Sequence, residues 1–160
     1  MTEPTFQIRP IAYVRSTRRE TVDDNWDAER ATIILADGYG EEALAGLDGF
    51  SHVDILFLFD RVPLERIETG ARHPRGRSDW PMVGIFAQRG KNRPNRIGLT
   101  TCRLLRISGR SLEVAGLDAI DGTPVIDIKP VMREFLPRGD ISQPAWSQEL
   151  MAGYWTDAPQ

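Results

Sequence analysis

The sequence predicts an all-β domain, mainly an antiparallel barrel, with one or two short helices, one of them near the C-terminus. Six or seven short apolar segments are separated by turns rich in Gly, Pro and Asp. Little helical periodicity lies between these segments, which argues against alternating βα units. With 160 residues, 41% of them hydrophobic, the chain can bury one core of ordinary size. Residues 1–160 are therefore predicted to form a single domain.

The strands are placed by apolar alternation and by short apolar runs of the length that a buried strand needs. The clearest alternation runs along 97–108, and the turn that follows it predicts a hairpin with the next segment. We predict strands over residues 6–14, 31–35, 53–59, 82–88, 97–108, 111–117 and 125–128.

Two short helices complete the prediction. One covers residues 41–47, and the other begins near Pro144, a favoured first-turn residue. Trp146, Leu150 and Tyr154 follow at spacings of four, so they would form one stripe along the second helix. Such a stripe is more typical of core packing than of a ligand site.

The composition excludes several kinds of protein. Cys102 is the single cysteine, so no intramolecular disulfide can form. His52 and His73 have no cysteine or carboxylate neighbours at ligand spacing, which argues against a metal site. No N-terminal apolar segment and no run of eighteen apolar residues is present, so neither secretion nor membrane spanning is expected. We expect a cytoplasmic protein.

Positive charge is concentrated in the middle of the chain. Residues 61–110 contain twelve Lys or Arg against three Asp or Glu, a local excess of nine, although the whole chain has a net charge of −3. Clustered Arg can neutralise phosphates, whereas a solvated face paired with acids elsewhere would show the same composition. Residues 65–79 form a long irregular stretch within this basic region, and such loops are often functional.

A dinucleotide-binding pattern occurs at residues 38–43, with Asp60 about twenty residues further on. Three features oppose this interpretation. The helix that follows has room for only about two turns, too few for a βαβ crossover. Glu41 and Glu42 would repel a pyrophosphate at the helix N-terminus. No second unit of strand and long helix follows.

Two long motifs indicate a family other than the dinucleotide-binding proteins. Residues 84–99 read GIFAQRGKNRPNRIGL, and residues 118–130 read DAIDGTPVIDIKP. Together with residues 49–52 and 11–16, they make the chain resemble the TsaA-like family of TrmO-type tRNA methyltransferases from about residue 6 to residue 130. This resemblance implies a β-barrel that binds S-adenosylmethionine, works as a homodimer and methylates N6 of threonylcarbamoyladenosine at position 37 of tRNA.

The resemblance also implies where the cofactor binds. Two departures from the family pattern occur: residues 23–25 are Asp-Asp-Asn where the tRNA enzymes have Pro-Arg-Gln, and Arg96 replaces a proline. By position in the motifs, the cofactor contacts should fall on Asp24, Asn25, Asp60, Arg61, Arg89, Leu99, Ala115, Gly116, Leu117 and Asp118.

The chemistry of methyl transfer requires positioning more than activation, because a sulfonium methyl group is already electrophilic. Asp60 and Asp118 can accept hydrogen bonds from ribose hydroxyls or an ammonium group, or from backbone amides in a turn. Asp121 is a candidate general base, although it also precedes Gly122 in an ordinary turn sequence. The catalytic residue is otherwise left unassigned.

The basic loop supplies candidates for RNA binding. Forked guanidinium groups suit phosphate recognition, but arginines such as Arg93 can equally brace a loop by bonding carbonyls. The RNA-binding candidates are Arg72, Arg75, Arg77, Lys91, Arg93 and Arg96. Two other functions stay open: methylation of a small metabolite, and a non-catalytic RNA-binding module.

Overall fold

The computed structural model describes residues 2–20 and 23–156. Six of its strands close into an antiparallel barrel in the order β1-β2-β7-β6-β3-β8, with β8 pairing to β1, so the predicted barrel is confirmed. The other two strands form a separate short ribbon. The strands are β1 (Ala12–Ser16), β2 (Arg30–Leu35), β3 (His52–Leu58), β4 (Ala71–Arg72), β5 (Val83–Gly84), β6 (Ile97–Ser108), β7 (Ser111–Ala115) and β8 (Pro124–Pro130).

The barrel core follows from alternation along the strands, because successive side chains of a strand point to opposite faces. In β3 the residues Val53, Ile55 and Phe57 are fully buried, while their neighbours are partly exposed. The first half of β6 alternates in the same way. The register places Phe57 opposite Gly98, where an added Cβ would lie 2.5 Å from the Phe57 ring. Only glycine leaves room for that ring.

Bulges help the sheet to close. The register shifts between Leu56 and Phe57 on β3, and between Leu104 and Arg106 on β6. An extra residue in one strand bends it and increases its twist, which a six-stranded barrel requires. The predicted hairpin of β6 and β7 is confirmed, with Ser108 paired to Ser111.

Two predicted strands are largely wrong. The segment 6–14 becomes β1 only from Ala12, and Phe6 and Ile8 are exposed. Pro10 has no N–H to donate, so it makes a poor strand residue at this point. The ladder begins just after it, where the Ile11 amide donates to the Val125 carbonyl at 2.8 Å.

The segment 82–88 is the second of these. It contains only the two-residue β5, followed by a 3₁₀ turn at Ile85–Ala87. β5 pairs with β4 inside the long basic stretch, and the Ile85 amide donates to the Gly70 carbonyl at 2.8 Å. The apolar residues therefore fold a loop onto itself and add no strand to the barrel.

Both helical segments lie where the sequence predicts them, but the first consists of 3₁₀ turns. Residues 41–47 give two 3₁₀ turns, Glu41–Leu44 and Leu47–Gly49, because Gly46 between them has a φ of 84° that no α-helix contains. The C-terminal helix α1 spans Ala145–Met151, which confirms the predicted position. Tyr154 lies beyond its end, so the predicted stripe does not continue to this residue. Within the described part of the chain, no helix has the length and apolarity needed to cross a membrane.

Candidate functional site

The strand directions gather one set of loops at one end of the barrel. β1, β3 and β7 end there, and β2, β6 and β8 begin there, because neighbouring strands are antiparallel. We call this the loop end; it comprises residues 17–29, 59–96 and 116–123. Every predicted site residue lies in it, apart from Leu99 near the start of β6 and Ala115 at the end of β7. Residues far apart in sequence are thereby brought to one region.

Asp118 follows β7 and is partly buried. One of its carboxylate oxygens accepts a hydrogen bond from the Thr100 hydroxyl, and the other accepts one from the Tyr154 hydroxyl. Thr100 is a buried residue of β6, whereas Tyr154 comes from the C-terminal segment. The carboxylate is thus held from two different elements.

The C-terminal segment 153–155 runs alongside residues 25–27. The amides of Asn25, Trp26 and Asp27 donate to the carbonyls of residues 153, 154 and 155 at 3.2, 3.0 and 2.7 Å. Helix α1 is attached nearby, because Trp80 Nε1 donates to Glu149 Oε2 at 2.8 Å. The chain after α1 is therefore tied to the loop end at several points.

Asp24 and Asn25 adjoin this segment. Arg75 Nη2 lies 2.9 Å from Asp24 Oδ1, so the long basic loop contacts the β1–β2 loop through an ion pair. Arg18 Nη1 donates to the Asn25 carbonyl at 3.0 Å, and its guanidinium stacks 3.7 Å from the centre of the Trp26 ring. The predicted contacts Asp24 and Asn25 thus occupy a well-connected loop.

Asp121 and Arg61 meet at the start of β8. Asp121 Oδ1 accepts a hydrogen bond from the Ser16 amide at 3.0 Å, and Arg61 Nη2 donates to the Asp121 carbonyl at 3.3 Å. Gly122 follows with a φ of 83°, as a tight turn requires. These contacts show that Asp121 has a turn-stabilising role; its role as a base stays a prediction.

Arg89 and Leu99, two predicted cofactor contacts, lie together. Arg89 Nη2 donates to the Leu99 carbonyl at 2.7 Å, while the Leu99 side chain is exposed because it points away from the core. Asp60 is exposed at the end of β3, and its carbonyl accepts a long hydrogen bond of 3.4 Å from Arg96.

Several RNA-binding candidates make contacts within the loop end. Arg93 Nη1 donates to the Gln88 carbonyl at 2.6 Å, and Arg96 Nη1 donates to the Val62 carbonyl at 2.9 Å. Arg72 Nε reaches Gln88 Oε1 at 3.5 Å. The brace interpretation of the arginines therefore accounts for Arg93 and Arg96, and phosphate binding by the six candidates stays a prediction.

Arg77 belongs to a separate surface group. Its guanidinium pairs with Asp79 and lies 4.0 Å from the centre of the Trp80 ring. The hydrogen bond from Arg77 lowers the pKa of Asp79. Both charged side chains are more than half exposed, so this pair remains open to exchange with other ions.

The backbone of the loop end is strained at specific residues. Across the residues that the structure describes, the non-glycine residues with positive φ are Asn25 at 66°, Arg75 at 51°, Asn95 at 61° and Arg96 at 52°. Such conformations are uncommon outside glycine and tend to cluster at functional sites. All four lie in the loop end, and three of them are predicted site residues.

Burial and charge set the protonation of two groups near Asp118. Burial, together with the nearby Asp118 carboxylate, raises the pKa of Tyr154, so its hydroxyl remains a hydrogen-bond donor. Burial likewise raises the pKa of Cys102, which points into the core. The Cys102 thiol is therefore a core group, as expected for a small apolar strand residue.

Thr100, Gln88 and Glu149 are not among the predicted site residues, and Tyr154 is predicted to belong to a core stripe. Gln88 is buried, and its amide donates to the Val83 carbonyl at 2.9 Å, which orders the basic loop. A polar residue that ends the apolar run 82–87, directly before the basic residues, is the one signal in the sequence that could have identified it. For Tyr154, the polar tip of the predicted stripe was the available signal.

An open cavity of about 330 Å³ adjoins Asp121 on the outer face of β1 and β2. Its wall includes Arg15, Ser16, Arg30 and Glu113, but none of the predicted cofactor contacts. In residues 2–20 and 23–156, no three His, Cys, Asp or Glu side chains are grouped so that they could hold a metal ion. The polar groups around Asp118 therefore define the candidate site better than this cavity does.

The fold and the contacts define a small closed barrel whose loop end carries carboxylates, guanidinium groups and ordered hydroxyls, a donor set for a polar, charged small molecule. Comparison with known proteins is specific. A profile of the tRNA-methyltransferase O N-terminal domain matches residues 21–135. The chain belongs to this family.

Individual relatives and solved structures support the same family. A mouse tRNA (adenine(37)-N6)-methyltransferase is 40% identical over 95 residues, which is 59% of this chain and 22% of that protein. A protein of Methanothermobacter thermautotrophicus described as a "Probable S-adenosyl-L-methionine-binding protein" is 36% identical over 137 residues, 81% of this chain and 93% of that protein. The crystal structure of TrmO from P. aeruginosa superposes with a TM-score of 0.73 at 33% identity, covering 91% of this chain and 63% of that one.

The relatives differ in length. The chain spans only about a quarter of the mammalian methyltransferases it matches, while it spans nearly all of the Methanothermobacter protein.

Proposed function

We propose that this protein is an S-adenosylmethionine-dependent methyltransferase that methylates N6 of threonylcarbamoyladenosine at position 37 of tRNA. The observation that carries the proposal is that eight of the ten predicted cofactor contacts lie in the loop end, with Leu99 and Ala115 in the adjoining strands, and that two hydroxyls order the carboxylate of Asp118. The names of the mouse and archaeal relatives support the activity and the cofactor respectively. We take residues 1–160 as the single domain responsible.

The residues present fit this cofactor. A carboxylate can accept about four hydrogen bonds, and two acceptor positions of Asp118 are filled by hydroxyls, so others remain for a ribose hydroxyl or an ammonium group. Arg61 and Arg89 offer guanidinium groups to the carboxylate of the amino-acid moiety. The loop 115–117 and residues 24 and 25 complete the predicted set.

The division of labour in methyl transfer follows from this arrangement. The bound cofactor supplies an electrophilic methyl group. The side chains of the loop end orient it, exclude water and hold the acceptor nitrogen in line. Asp121 is our candidate for receiving the proton that the nitrogen loses, since one oxygen of its carboxylate accepts from the Ser16 amide and, among the described residues, the second accepts no hydrogen bond.

For the tRNA, we assign different roles to the six basic candidates. Arg75 and Arg77 sit in ion pairs that are partly or mostly exposed, and such pairs contribute little, so phosphates can replace the paired carboxylates. Lys91 joins them from the same loop. Arg93 and Arg96 bond backbone carbonyls and therefore shape the loop, with Arg72 beside them.

A homodimer in the cytoplasm is the remaining part of the proposal. Large apolar side chains on one exposed stretch support an interface: Phe135 and Ile141 are 86% and 73% exposed, between β8 and α1. Isolated exposed apolar residues are ordinary, but several on one segment favour a protein partner. Sedimentation equilibrium should give twice the 18.0 kDa chain mass, and a monomer would contradict this part alone.

A second candidate keeps the cofactor and replaces tRNA with a small metabolite. The observation in its favour is the acidic pair Asp23 and Asp24, which neutralises Arg75 and would repel nucleic-acid phosphates. A third candidate, a non-catalytic RNA-binding module, predicts salt-sensitive RNA binding without turnover.

One experiment separates the three. The purified protein is incubated with methyl-labelled S-adenosylmethionine and with tRNA that either contains or lacks threonylcarbamoyladenosine. We expect label only in the modified tRNA. Cofactor binding without label in RNA, but with label in a small-molecule extract, would select the second candidate. RNA binding in the absence of any cofactor affinity would select the third.

A further inference from the structure

We propose that Tyr154 is a positioning residue for the cofactor, acting through its hydrogen bond to Asp118. This inference rests on the proposed function and deepens it, because it adds the C-terminal segment to a site otherwise built from barrel loops. Tyr154 is then required for cofactor affinity although it is distant in sequence from every motif of the barrel.

Hydrogen bonds from two elements fix the carboxylate of Asp118. Its two carboxylate oxygens are bonded by hydroxyls from opposite sources, Thr100 on the barrel wall and Tyr154 on the C-terminal segment. Two donors on separate elements fix the plane of the carboxylate, so the unused acceptor positions keep one direction. A carboxylate held in this way accepts a ligand without losing further rotamer freedom.

Tyr154 is itself held in place by a backbone hydrogen bond and by ring packing. Its carbonyl accepts from the Trp26 amide at 3.0 Å, and the amides on either side of Trp26 bond residues 153 and 155. Its ring packs edge-to-face on Trp155, with ring centroids 5.0 Å apart. A phenol with these supports places its hydroxyl at one position, as positioning requires.

The phenol of Tyr154 stays protonated. Burial and the neighbouring Asp118 raise the pKa of Tyr154, so it stays a donor toward the carboxylate. Asp23 and Arg75 are the other charged groups that act on it. Tyr154 therefore orients Asp118 and does not itself accept the proton from the methyl acceptor.

The C-terminal segment links two parts of the site. Through its side chain, the C-terminal segment holds Asp118; through the carbonyl of Gly153, it holds the amide of Asn25. Asp118 and Asn25 are both predicted cofactor contacts. One short segment thus sets the relative position of two contact groups that the barrel supplies from different loops.

The test compares Tyr154→Phe with Tyr13→Phe, an exposed tyrosine of β1 that serves as the matched control. Calorimetry measures the Kd for S-adenosylmethionine and for S-adenosylhomocysteine, and thermal melting with amide exchange at residues 25–27 monitors structure. We expect Tyr154→Phe to raise both Kd values about tenfold, the effect of losing one good hydrogen bond, while the control changes neither.

Thr100→Val provides a second measurement, because it removes the other hydroxyl without touching the C-terminal segment. We expect a similar rise in Kd with residues 25–27 still protected. If wild-type protein binds and both variants bind equally well, the positioning role is refuted and the proposed function stands. If amide protection is lost in Tyr154→Phe, its Kd reflects a disturbed structure. The Kd of Thr100→Val then decides whether a fixed Asp118 carboxylate is needed for cofactor affinity. If wild-type protein shows no affinity for either compound, the proposed function fails, and this inference fails with it.

Discussion

Replacing Asp118 by alanine should destabilise the protein as well as weaken cofactor binding. The carboxylate accepts hydrogen bonds from Thr100 and Tyr154, and hydrogen bonds to a charged group contribute about 1.5–3 kcal/mol each. Because Asp118 is partly exposed, we use the lower end of that range for both bonds and expect a loss of about 3 kcal/mol. For a domain of this size, the expected fall in Tm is about 6–12 °C.

The assay is a thermal melt followed by circular dichroism, with two matched variants. Asp118→Asn keeps one oxygen acceptor and should fall by less than half as much. Asp48→Ala removes an exposed carboxylate at the opposite end of the barrel and should melt with the wild-type protein. If Asp118→Ala melts within 2 °C of wild type (roughly 1 kcal/mol or less for a domain of this size), the two hydroxyls do not depend on this carboxylate and the reasoning is refuted.

Three further predictions concern the core, the basic loop and the response to pH. Gly98→Ala should lower the free energy of unfolding in urea by about 1–3 kcal/mol, because its Cβ would lie 2.5 Å from the Phe57 ring. In Gly49→Ala the new Cβ meets no atom within 4 Å, so the free energy of unfolding should change little. Equal effects of the two substitutions would contradict the packing. Arg93→Met should make the basic loop more sensitive to protease while the melting of the barrel changes by about 1 kcal/mol or less, and an unaltered cleavage rate would show that Arg93 does not brace the loop. At alkaline pH the unfolded chain ionises Cys102 and Tyr154, whose ordinary pKa values are 9.0 and 10.0, while the folded protein keeps both protonated. The free energy of unfolding should therefore be complete below pH 9 and should fall above it. Denaturation of Cys102→Ala and Tyr154→Phe should show a shallower fall, and an unchanged pH profile would contradict the burial of both groups.

The sequence predicts a barrel strand well where apolar and polar residues alternate along it, because the alternation distinguishes its two faces. β6 was predicted with its observed bounds, because inward and outward residues alternate along its first half and a turn of Ser-Gly-Arg ends it. The segment 82–88 has a similar apolar content, yet it folds as a loop on β4. Local pattern shows that a segment is apolar, but the partner strand is chosen by tertiary contacts.

The candidate site likewise depends partly on sequence motifs and partly on tertiary contacts. The family resemblance placed its residues, and antiparallel topology, which one sequence does not display, explains why they share one end of the barrel. Tyr154 could not be assigned from spacing, because α1 ends at Met151 and the next three residues turn toward Asn25. Among the basic residues, charge counting treated Arg77 and Arg93 alike, whereas one pairs with a carboxylate at the surface and the other holds a carbonyl.

We propose that the loop end of the barrel binds S-adenosylmethionine, and a bound cofactor would protect the backbone amides that it covers. This protection can be measured by hydrogen exchange with mass spectrometry on the wild-type protein, with and without the cofactor at saturating concentration. We predict slower exchange in residues 23–27, 59–61, 88–99 and 115–121, with the loops at the opposite end unchanged. Exchange that is unaffected by the cofactor, or slowed only at the opposite end, would contradict the account.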